Sequence, residues 1–370
     1  MTAQDARYGV ALPFTFSAGF LDTGRAQYSD PTAPAVFGAF RLLAQPEIKL
    51  GSHWYGYGAL QLRLTPYFYQ DAYDELRQVK FDTLQCFVGY SRTWDHTALA
   101  IKAGKLASAF GAFPLRYDDM LNPLLDQPLP YNYLLLQPGP GSSDDYGFAS
   151  VTLYGLPAAE IDFSRNHLDT RFQLTNSSPY NPRQFFASGQ HPQWAAGGGY
   201  TIVQGFRVGV SAYRGAWLAG SLATYIPAGL SATDFPASAV GADAQWARGR
   251  WSAGAEWDRF VFAFPHVSNA PAVKMGYSEL KLIITPRWYS AFRANYQTDD
   301  YAVVGGVQSP TTVFPNRQYY EIAAGFRPDR FQLLKVGYEW AHVQNGEANH
   351  DNVFGIQFVT TFNGVSKALK

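Results

Sequence analysis

The sequence predicts an all-β protein, a transmembrane antiparallel β-barrel of sixteen strands. Apolar and polar residues alternate over most of the chain, short and long connections follow one another, and few charges are combined with many aromatic rings. Charged residues make up 16% of the 370 residues and aromatic residues another 16%, whereas a soluble domain carries roughly 25% charged residues. No apolar run approaches the roughly 18 residues that a transmembrane helix needs. A membrane barrel instead places its lipid-facing residues at every second position.

Five alternating segments come first in the chain. In the first of them, Phe14, Phe16 and Phe20 share one parity, and Thr15 and Ser17 occupy the other. This period of two is typical of a strand with one apolar face. The same pattern predicts strands at residues 11–20, 40–50, 60–65, 83–91 and 99–102.

Eleven further segments alternate after a long irregular stretch. The first is interpreted as one long strand that bends at Leu156-Pro157. The run Gly197-Gly198-Gly199 is interpreted as a strand that passes close to a bulky group. The total of sixteen is even, as single-chain bacterial outer-membrane barrels require. The predicted strands cover residues 151–164, 171–175, 195–203, 207–212, 240–246, 251–258, 279–284, 292–297, 321–327, 334–340 and 354–362.

The connections sort into seven short turns and eight long loops, which a barrel produces when both termini lie on its periplasmic side. A soluble β-sandwich has no reason to sort its loops in this way. We therefore expect one domain, residues 1–370, with strands from about 9 to 362 and a periplasmic tail at 363–370. The short turns are predicted at 51–53, 94–96, 166–168, 204–205, 248–249, 286–287 and 328–330. The long loops are predicted at 22–35, 70–78, 107–146, 177–194, 218–238, 265–275, 299–317 and 344–351.

Physical chemistry explains why such a sheet must close. In hydrocarbon every backbone N–H and C=O group needs an internal partner, and closure also removes the edge strands. Sixteen strands leave an interior too wide for side chains alone to fill, so the polar parity should face water inside. Aromatic residues near the strand ends should form girdles at the two membrane interfaces: Tyr90, Trp251, Trp257, Tyr338, Trp340 and Phe362.

The third long connection, residues 107–146, is far longer than a usual loop, so it is either functional or evidence against the strand assignment. It is neither low in complexity nor rich in charge, as a disordered linker would be. It combines apolar residues such as Phe110 and Leu124 with five carboxylates. We expect this segment to fold into the lumen and form a constriction, with the rest of the chain as a wall around it.

The charges of the inward parity do not favour one sign, with ten basic against nine acidic residues. Their order along the chain is more informative, because basic residues dominate strands two, three and five while the third loop is acidic. Opposed charges across a narrow passage create a strong transverse field. The predicted pore constriction consists of Arg41, Arg63, Lys102, Arg116, Asp118 and Asp119.

A simpler interpretation of these charges competes with that site. Basic and acidic residues on neighbouring strands often pair and satisfy each other without controlling permeation. We expect Arg293 to pair with Glu279 in this way, and Lys335 with Glu321 or Glu339. Arg116 has a similar ambiguity, because it either reaches the pore or holds its own loop through an ion pair.

Several functional classes find no support in the sequence. The formal net charge is zero, so no strongly basic surface points to nucleic acid. The seven histidines show no recognisable metal-ligand spacing, and no catalytic motif or cofactor-binding motif is present, so we expect no enzyme, no metal and no cofactor. The single cysteine, Cys86, excludes an intrachain disulfide. The first residues lack a signal peptide, so we expect a mature form rather than a cytoplasmic protein.

Two short motifs carry a resemblance to a known family. The passage Gly104-Lys105-Leu106 through Phe110-Gly111 ends strand five and opens the third long loop, and the last strand runs from Phe354 to Phe362. These motifs resemble the sixteen-stranded Gram-negative porins, including the phosphate-selective type. Eight residues follow Phe362, where such chains usually stop, and the segment from Phe110 to Pro140 matches no porin motif residue by residue.

The resemblance implies a homotrimer in the bacterial outer membrane, with a third loop folded into each pore. It implies passive diffusion of small hydrophilic solutes or ions and contact with the lipid bilayer. Carboxylates interleave with the basic residues, which argues against a dedicated phosphate channel. The alternative is a plugged structural barrel that anchors an envelope or surface-layer partner, and an outer-membrane enzyme is a more remote third hypothesis.

Overall fold

The structure is a computed structural model of the chain. No helix in the portion that it describes is long and apolar enough to cross a membrane. The described residues are 8–22, 35–64, 79–112, 118–131, 133–136, 147–150, 156–176, 192–218, 220–265, 267–268, 270, 272–299, 303–304, 307–308, 316–343, 352–363 and 367–369.

Strands make up nearly all of the regular structure. The first seven are β1 (Tyr8–Ala11), β2 (Pro13–Asp22), β3 (Val36–Ala44), β4 (Glu47–Leu50), β5 (Trp54–Leu64), β6 (Val79–Trp94) and β7 (Thr97–Leu106). The next ten are β8 (Tyr133–Leu136), β9 (Gly147–Ser150), β10 (Leu156–Arg165), β11 (Leu168–Thr175), β12 (Gln193–Val203), β13 (Phe206–Ala216), β14 (Pro236–Arg248), β15 (Trp251–Phe262), β16 (Ala272–Ile283) and β17 (Trp288–Asp299). The last six are β18 (Val303–Val304), β19 (Val307–Gln308), β20 (Arg317–Phe326), β21 (Gln332–Val343), β22 (Val353–Asn363) and β23 (Lys367–Leu369). Short 3-10 helices span Leu129–Tyr131, Gly220–Tyr225 and Ala232–Asp234.

These strands form a closed antiparallel barrel of sixteen wall strands, which confirms the predicted fold class. Strands β1 and β2 form one interrupted wall strand, as do β3 with β4 and β22 with β23, while two small hairpins, β8–β9 and β18–β19, stay outside the sheet. The barrel closes where β2 pairs with both β22 and β3, and β1 pairs with both β23 and β4. Pro13 and Pro46 lie at two of the interruptions, since proline has no N–H for the ladder.

The seven predicted short turns are all present at one end of the barrel. Five of them use a residue with positive φ: Gly51 (74°), Asp95 (44°), Asn166 (53°), Gly205 (85°) and Gly249 (62°). Asp and Asn tolerate this left-handed region better than other residues with a side chain. At Gly205 a Cβ would also overlap the carbonyl oxygen of Ala247, so both the backbone angle and the close approach favour glycine.

Two predicted elements differ from the structure. The described part of the wall strand predicted from residue 151 begins at Leu156, and its register with β7 is continuous from Leu156 to Arg165, so the described residues show no bend at Leu156-Pro157. Residues 147–150 belong to the β8–β9 hairpin, and residues 151–155 lie outside the described part. Within the predicted tail, Lys367–Leu369 pair with β1, so these residues belong to the wall.

The alternation of the sequence separates two faces of the wall. On β20, Glu321 is 0% exposed and its neighbour Ile322 is 47% exposed, and on β21, Lys335 is 0% exposed and Val336 is 37% exposed. The apolar parity therefore points outward and the polar parity inward, as predicted. The buried core lies on the inward side, where residues 106–112 and 118–131 pack against the wall.

Candidate functional site

The inward face of the barrel divides into two regions. We call the inward side chains of β15–β17, β20–β22, β2 and β3 the covered arc, because residues 118–131 contact them. We call the inward side chains of β5–β7 and β10–β14 the open arc. Within the open arc, the segment 107–112 contacts inward positions of β11 to β14, namely Arg171, Gln173, Gly197, Ser211, Tyr213 and Gly241.

The segment leaves β7 and is fixed to the wall at once. The side-chain amide of Gln173 donates to the carbonyl of Ala107 over 2.7 Å and accepts from the backbone N–H of Ala109 over 3.3 Å. Phe110 is 0% exposed and makes edge-to-face contacts with Tyr213 and Phe260, with ring centroids 5.2 and 5.8 Å apart. The first apolar residue of the loop therefore anchors it to the inward face.

Lys335 binds the backbone of the loop. Its Nζ donates to the carbonyls of Asp119 (3.0 Å), Asn122 (3.2 Å) and Leu124 (2.8 Å), so all three ammonium protons have acceptors. Lys335 was expected to pair with Glu321 or Glu339. This expectation is wrong, because its hydrogen bonds go to loop carbonyls instead. The loop carbonyls take the place of a cross-strand carboxylate.

Arg293 joins a wall ion pair to the same loop. It lies 2.8 Å from Glu279, as predicted, and 3.4 Å from Glu321, and Arg293 is 0% exposed. The guanidinium also donates to the carbonyl of Asp126 over 2.8 Å and to the side-chain oxygen of Asn122 over 3.2 Å. The Arg293 guanidinium thus binds two wall carboxylates and two oxygen atoms of the loop.

Two leucines of the loop fill apolar sites on the covered arc. Leu124 is 0% exposed and packs against inward apolar residues, namely Tyr289, Ala291, Ala323, Leu333 and Val359. Leu125 is 2% exposed, and its backbone N–H donates to Glu321 over 2.7 Å. A Cβ at either Gly337 or Gly355 would lie 2.8 Å from Leu125 Cδ1, so these glycines make room for the leucine.

Tyr131 connects the end of the described loop segment to its beginning. Its hydroxyl donates to Glu256 over 2.6 Å and accepts from the backbone N–H of Ala112 over 2.9 Å. The N–H of Ala112 also lies 3.1 Å from Glu256. The wall carboxylate therefore holds two loop residues that are 19 positions apart. Burial, followed by the nearby charge of Glu256, raises the pKa of Tyr131 well above its ordinary value.

Asp126 is a buried carboxyl at the centre of this contact. It is 4% exposed, and one oxygen accepts from the backbone N–H of Gln127 over 2.6 Å. The other oxygen has no hydrogen-bond partner among the described residues. Burial raises the pKa of Asp126 well above its ordinary value, and the charges of Glu339 and Glu321 add to that effect. Folding therefore shifts this carboxyl toward its neutral, protonated form.

Three predicted site residues come together at the edge of the covered arc. Thr15 donates to Asp118 over 3.1 Å, and Ser17 donates to Asp119 over 2.6 Å. Arg41 lies 3.2 Å from Asp119, with side-chain exposures of 4% and 9%. These charges were expected to face each other across a passage, but this pair is in direct contact and buried. Its charges hold the loop to the wall rather than create a field across a gap.

The other predicted site residues lie elsewhere. Arg63 is the register partner of Arg41 on β5, 3.7 Å from Asp82. Lys102 lies on β7, 2.8 Å from Glu160 and also paired with Asp162. Arg116 lies outside the described residues. Arg63 therefore lies at the border of the two arcs, next to Arg41, whereas Lys102 lies within the open arc.

A second charged cluster on the open arc was not among the predicted site residues. Arg207 lies 2.7 Å from Asp169 and 3.0 Å from Asp243. A Cβ at Gly199 would overlap the guanidinium of Arg207, which is the bulky group that the glycine run predicted. The sequence signal was that same run, because glycines on an inward parity leave space for a long side chain from the next strand.

No protein-family model matches the sequence, and no curated protein matches it. The chain is similar to solved structures across nearly its whole length. Salmonella typhi OmpF in complex with daunomycin aligns with a TM-score of 0.60 at 10% identity, over 95% of this chain and 97% of that chain.

Two further structures extend this comparison. The outer membrane channel DcaP of Acinetobacter baumannii aligns with a TM-score of 0.58 at 10% identity, over 96% of this chain and 97% of that chain. The in-vitro folded trimer form of OmpT, an outer membrane protein of Vibrio cholerae, aligns with a TM-score of 0.52 at 10% identity, over 96% and 99%. At this identity the likeness establishes the fold.

Proposed function

We propose that the chain is an outer-membrane porin, a water-filled channel through which small hydrophilic solutes or ions diffuse passively. The observation that carries this proposal is the exposure of the charges on the open arc. The side chains of Lys102, Asp162 and Arg207 are 23%, 31% and 27% exposed, although all three point inward. A wall that keeps ionised side chains solvated on its inward face suits a water-filled passage.

We propose further that residues 107–146 fold into the lumen and narrow it from one side. The contacts of residues 106–112 and 118–131 with inward side chains support this arrangement. The solute then passes between the loop and the open arc. Arg41, Asp118 and Asp119 hold the loop in place, whereas Arg63 and Lys102 line the passage.

The charges of the open arc are balanced closely enough to argue against a strong preference for one ion sign. Lys102 is paired with Glu160 and Asp162, and Arg207 with Asp169 and Asp243. Both of these cations are therefore flanked by two carboxylates, which supports a modest preference for cations. No enzyme activity is part of this proposal, and the described residues contain no group of side chains that could hold a metal ion.

A plugged anchoring barrel is the second candidate, and the dense fixation of the loop favours it. Leu124, Arg293 and Lys335 are all fully buried under or within the loop contact. A loop held this firmly suits a permanent seal as well as a constriction. The similarity to porin and channel structures, including a trimer form, supports the first candidate and a homotrimer in the bacterial outer membrane.

Single-channel recording in a planar bilayer tests the proposal and separates it from the second candidate. A porin gives steady conductance steps, three per insertion for a homotrimer. In a salt gradient it gives a small reversal potential whose sign indicates a preference for cations. A folded protein that gives no conductance contradicts the porin. In that case, replacing residues 112–140 by a short Gly/Ser linker should open the closed barrel, as the plugged candidate requires.

A further inference from the structure

Three cations interrupt the apolar outward face at one place. Arg214 on β13 and Arg259 on β15 are exposed, and Lys274 on β16 is half-buried. Their parity is outward, because Val210, four residues before Arg214, is 67% exposed and Trp257, two residues before Arg259, is 41% exposed. A cation on this face meets the surroundings of the barrel and not its lumen.

Strand register brings the three cations together. Arg259 is directly opposite Lys274. Across β14, Arg259 is opposite Val240 and Arg214 is opposite Ser238, so the two arginines flank adjacent outward positions of one strand. Opposite residues have Cβ atoms about 5 Å apart, and long side chains also reach diagonal neighbours. Neither arginine has a carboxylate partner in the part of the chain that the structure describes.

The cluster lies at a defined height on the barrel. All three residues are near the strand ends that lead to long loops. Trp257 and Tyr296 are both opposite Gly276, one step nearer the middle of the wall, and Trp194 is opposite Arg214. Aromatic belts mark the boundary of the hydrocarbon region. Arg259 lies two residues, about 7 Å along the strand, beyond Trp257 and thus at headgroup level.

We propose that Arg214, Arg259 and Lys274 form a binding site for the phosphate group of an anionic lipid headgroup, in the leaflet at the long-loop end. Arginine forks bind phosphate oxygens in a bidentate manner, and lysine adds a compact charge. Basic clusters at headgroup level are attracted to anionic lipids. This site rests on the membrane location in the proposed function, and it assigns β13–β16 to lipid contact rather than to a subunit interface.

The test compares lipid retained by purified protein in detergent micelles, measured by native mass spectrometry. The probe is diphosphoryl lipid A. Phosphatidylcholine and inorganic phosphate are each tested in the same way as comparison ligands. Arg214→Gln/Arg259→Gln/Lys274→Gln should retain at least ten-fold less lipid A than the wild-type protein. Arg248→Gln is the matched control, since Arg248 is exposed and outward but lies at the short-turn end of β14. It should leave retention unchanged.

Equal retention by the triple variant and the wild-type protein would overturn the proposal. Phosphatidylcholine retained as well as lipid A would also overturn it, and so would inorganic phosphate that binds as tightly as the lipid. If the triple variant does not fold, Arg259→Gln alone should still reduce retention several-fold, and no reduction there counts against the site. Conductance is recorded in parallel. Lipid retention without conductance would contradict the porin and leave the lipid site standing.

Discussion

The two arcs of the inward wall are built from the same sequence pattern but have different surroundings. On the covered arc, Arg293, Glu321 and Lys335 are 0% exposed. On the open arc, the side chains of Lys102 and Arg207 are 23% and 27% exposed. The alternation of apolar and polar residues determines that a side chain points inward. Contact with the loop determines whether that side chain is surrounded by protein or by water. The same residue types thus act as loop anchors on one side and as a solvated lining on the other.

This difference has an energetic consequence. An ion removed from water loses several kcal/mol of hydration, so it is stable only when its partners are complete. Exposed ion pairs contribute about 0–1 kcal/mol. Substitutions on the covered arc should therefore change both stability and conductance, whereas those on the open arc should change ion preference with little effect on stability.

The largest expected effect comes from Lys335→Met. This change removes the donor to three loop carbonyls and leaves Glu321 with one cation fewer nearby. We expect a loss of about 3–5 kcal/mol, the cost of breaking a buried charged network. Thermal unfolding measures it, and the channel should become wider and noisier. Asp169→Asn on the open arc is the control, since its carboxylate is 47% exposed in its pair with Arg207, and it should cost about 1 kcal/mol or less. Similar losses in the two variants would remove the distinction between the arcs.

Tyr131→Phe should have a smaller effect. It removes the hydroxyl that joins Glu256 to the backbone N–H of Ala112 and leaves the ring in place. A hydrogen bond to a charged group contributes about 1.5–3 kcal/mol, so a loss in that range is expected in thermal unfolding. Tyr57→Phe is a matched control, since Tyr57 lies on β5 of the open arc and its hydroxyl accepts a hydrogen bond from the neutral side chain of Gln45. Unchanged stability of Tyr131→Phe would mean that Glu256 does not close the loop.

The buried carboxyl of Asp126 predicts a pH dependence. Because burial raises the pKa of Asp126 above its ordinary value of 3.8, the folded state holds this proton more tightly than the unfolded chain. Stability from this group is fully present below about pH 4 and is lost as pH rises toward the folded-state pKa. Asp126→Asn should match the wild-type melting temperature at pH 4 and exceed it at pH 8. A difference that does not change with pH would contradict this account.

Arg207→Gln is expected to change stability least. It removes the cation that lies between Asp169 and Asp243, whose side chains are 47% and 11% exposed, and leaves both carboxylates on the open arc without it. The reversal potential in a salt gradient should shift in the direction that indicates a stronger preference for cations. The melting temperature should change by an amount that corresponds to about 1 kcal/mol or less. An unchanged reversal potential would show that the ions pass at a distance from β13.

Much of the fold was predictable because a period of two reports which face a side chain occupies. All sixteen wall strands, the seven short turns and the pair Arg293–Glu279 followed from it. The loop contacts did not follow, since the period does not report what lies against a face. Lys335 was assigned a carboxylate partner, although it binds loop carbonyls.

A further signal in the sequence marks the covered arc. Leu333 and Val359 interrupt the polar parity of β21 and β22, and both are 0% exposed beneath the loop. Apolar residues on a parity that should face water indicate that another segment covers them. Interruptions of this kind distinguish a covered strand from an open one on the basis of the amino-acid sequence alone.

The most direct test of the two-arc account compares cysteine reactivity at two inward serines. Ser17 on the covered arc is 0% exposed and bonded to Asp119, while Ser164 on β10 is half-exposed on the open arc. Each is changed to cysteine in a Cys86→Ser background, because the native thiol is exposed. A water-soluble, positively charged methanethiosulfonate should modify Ser164→Cys at least 100-fold faster than Ser17→Cys and lower the conductance as it reacts. Equal rates at the two positions would contradict the division of the inward wall into a covered arc and an open arc.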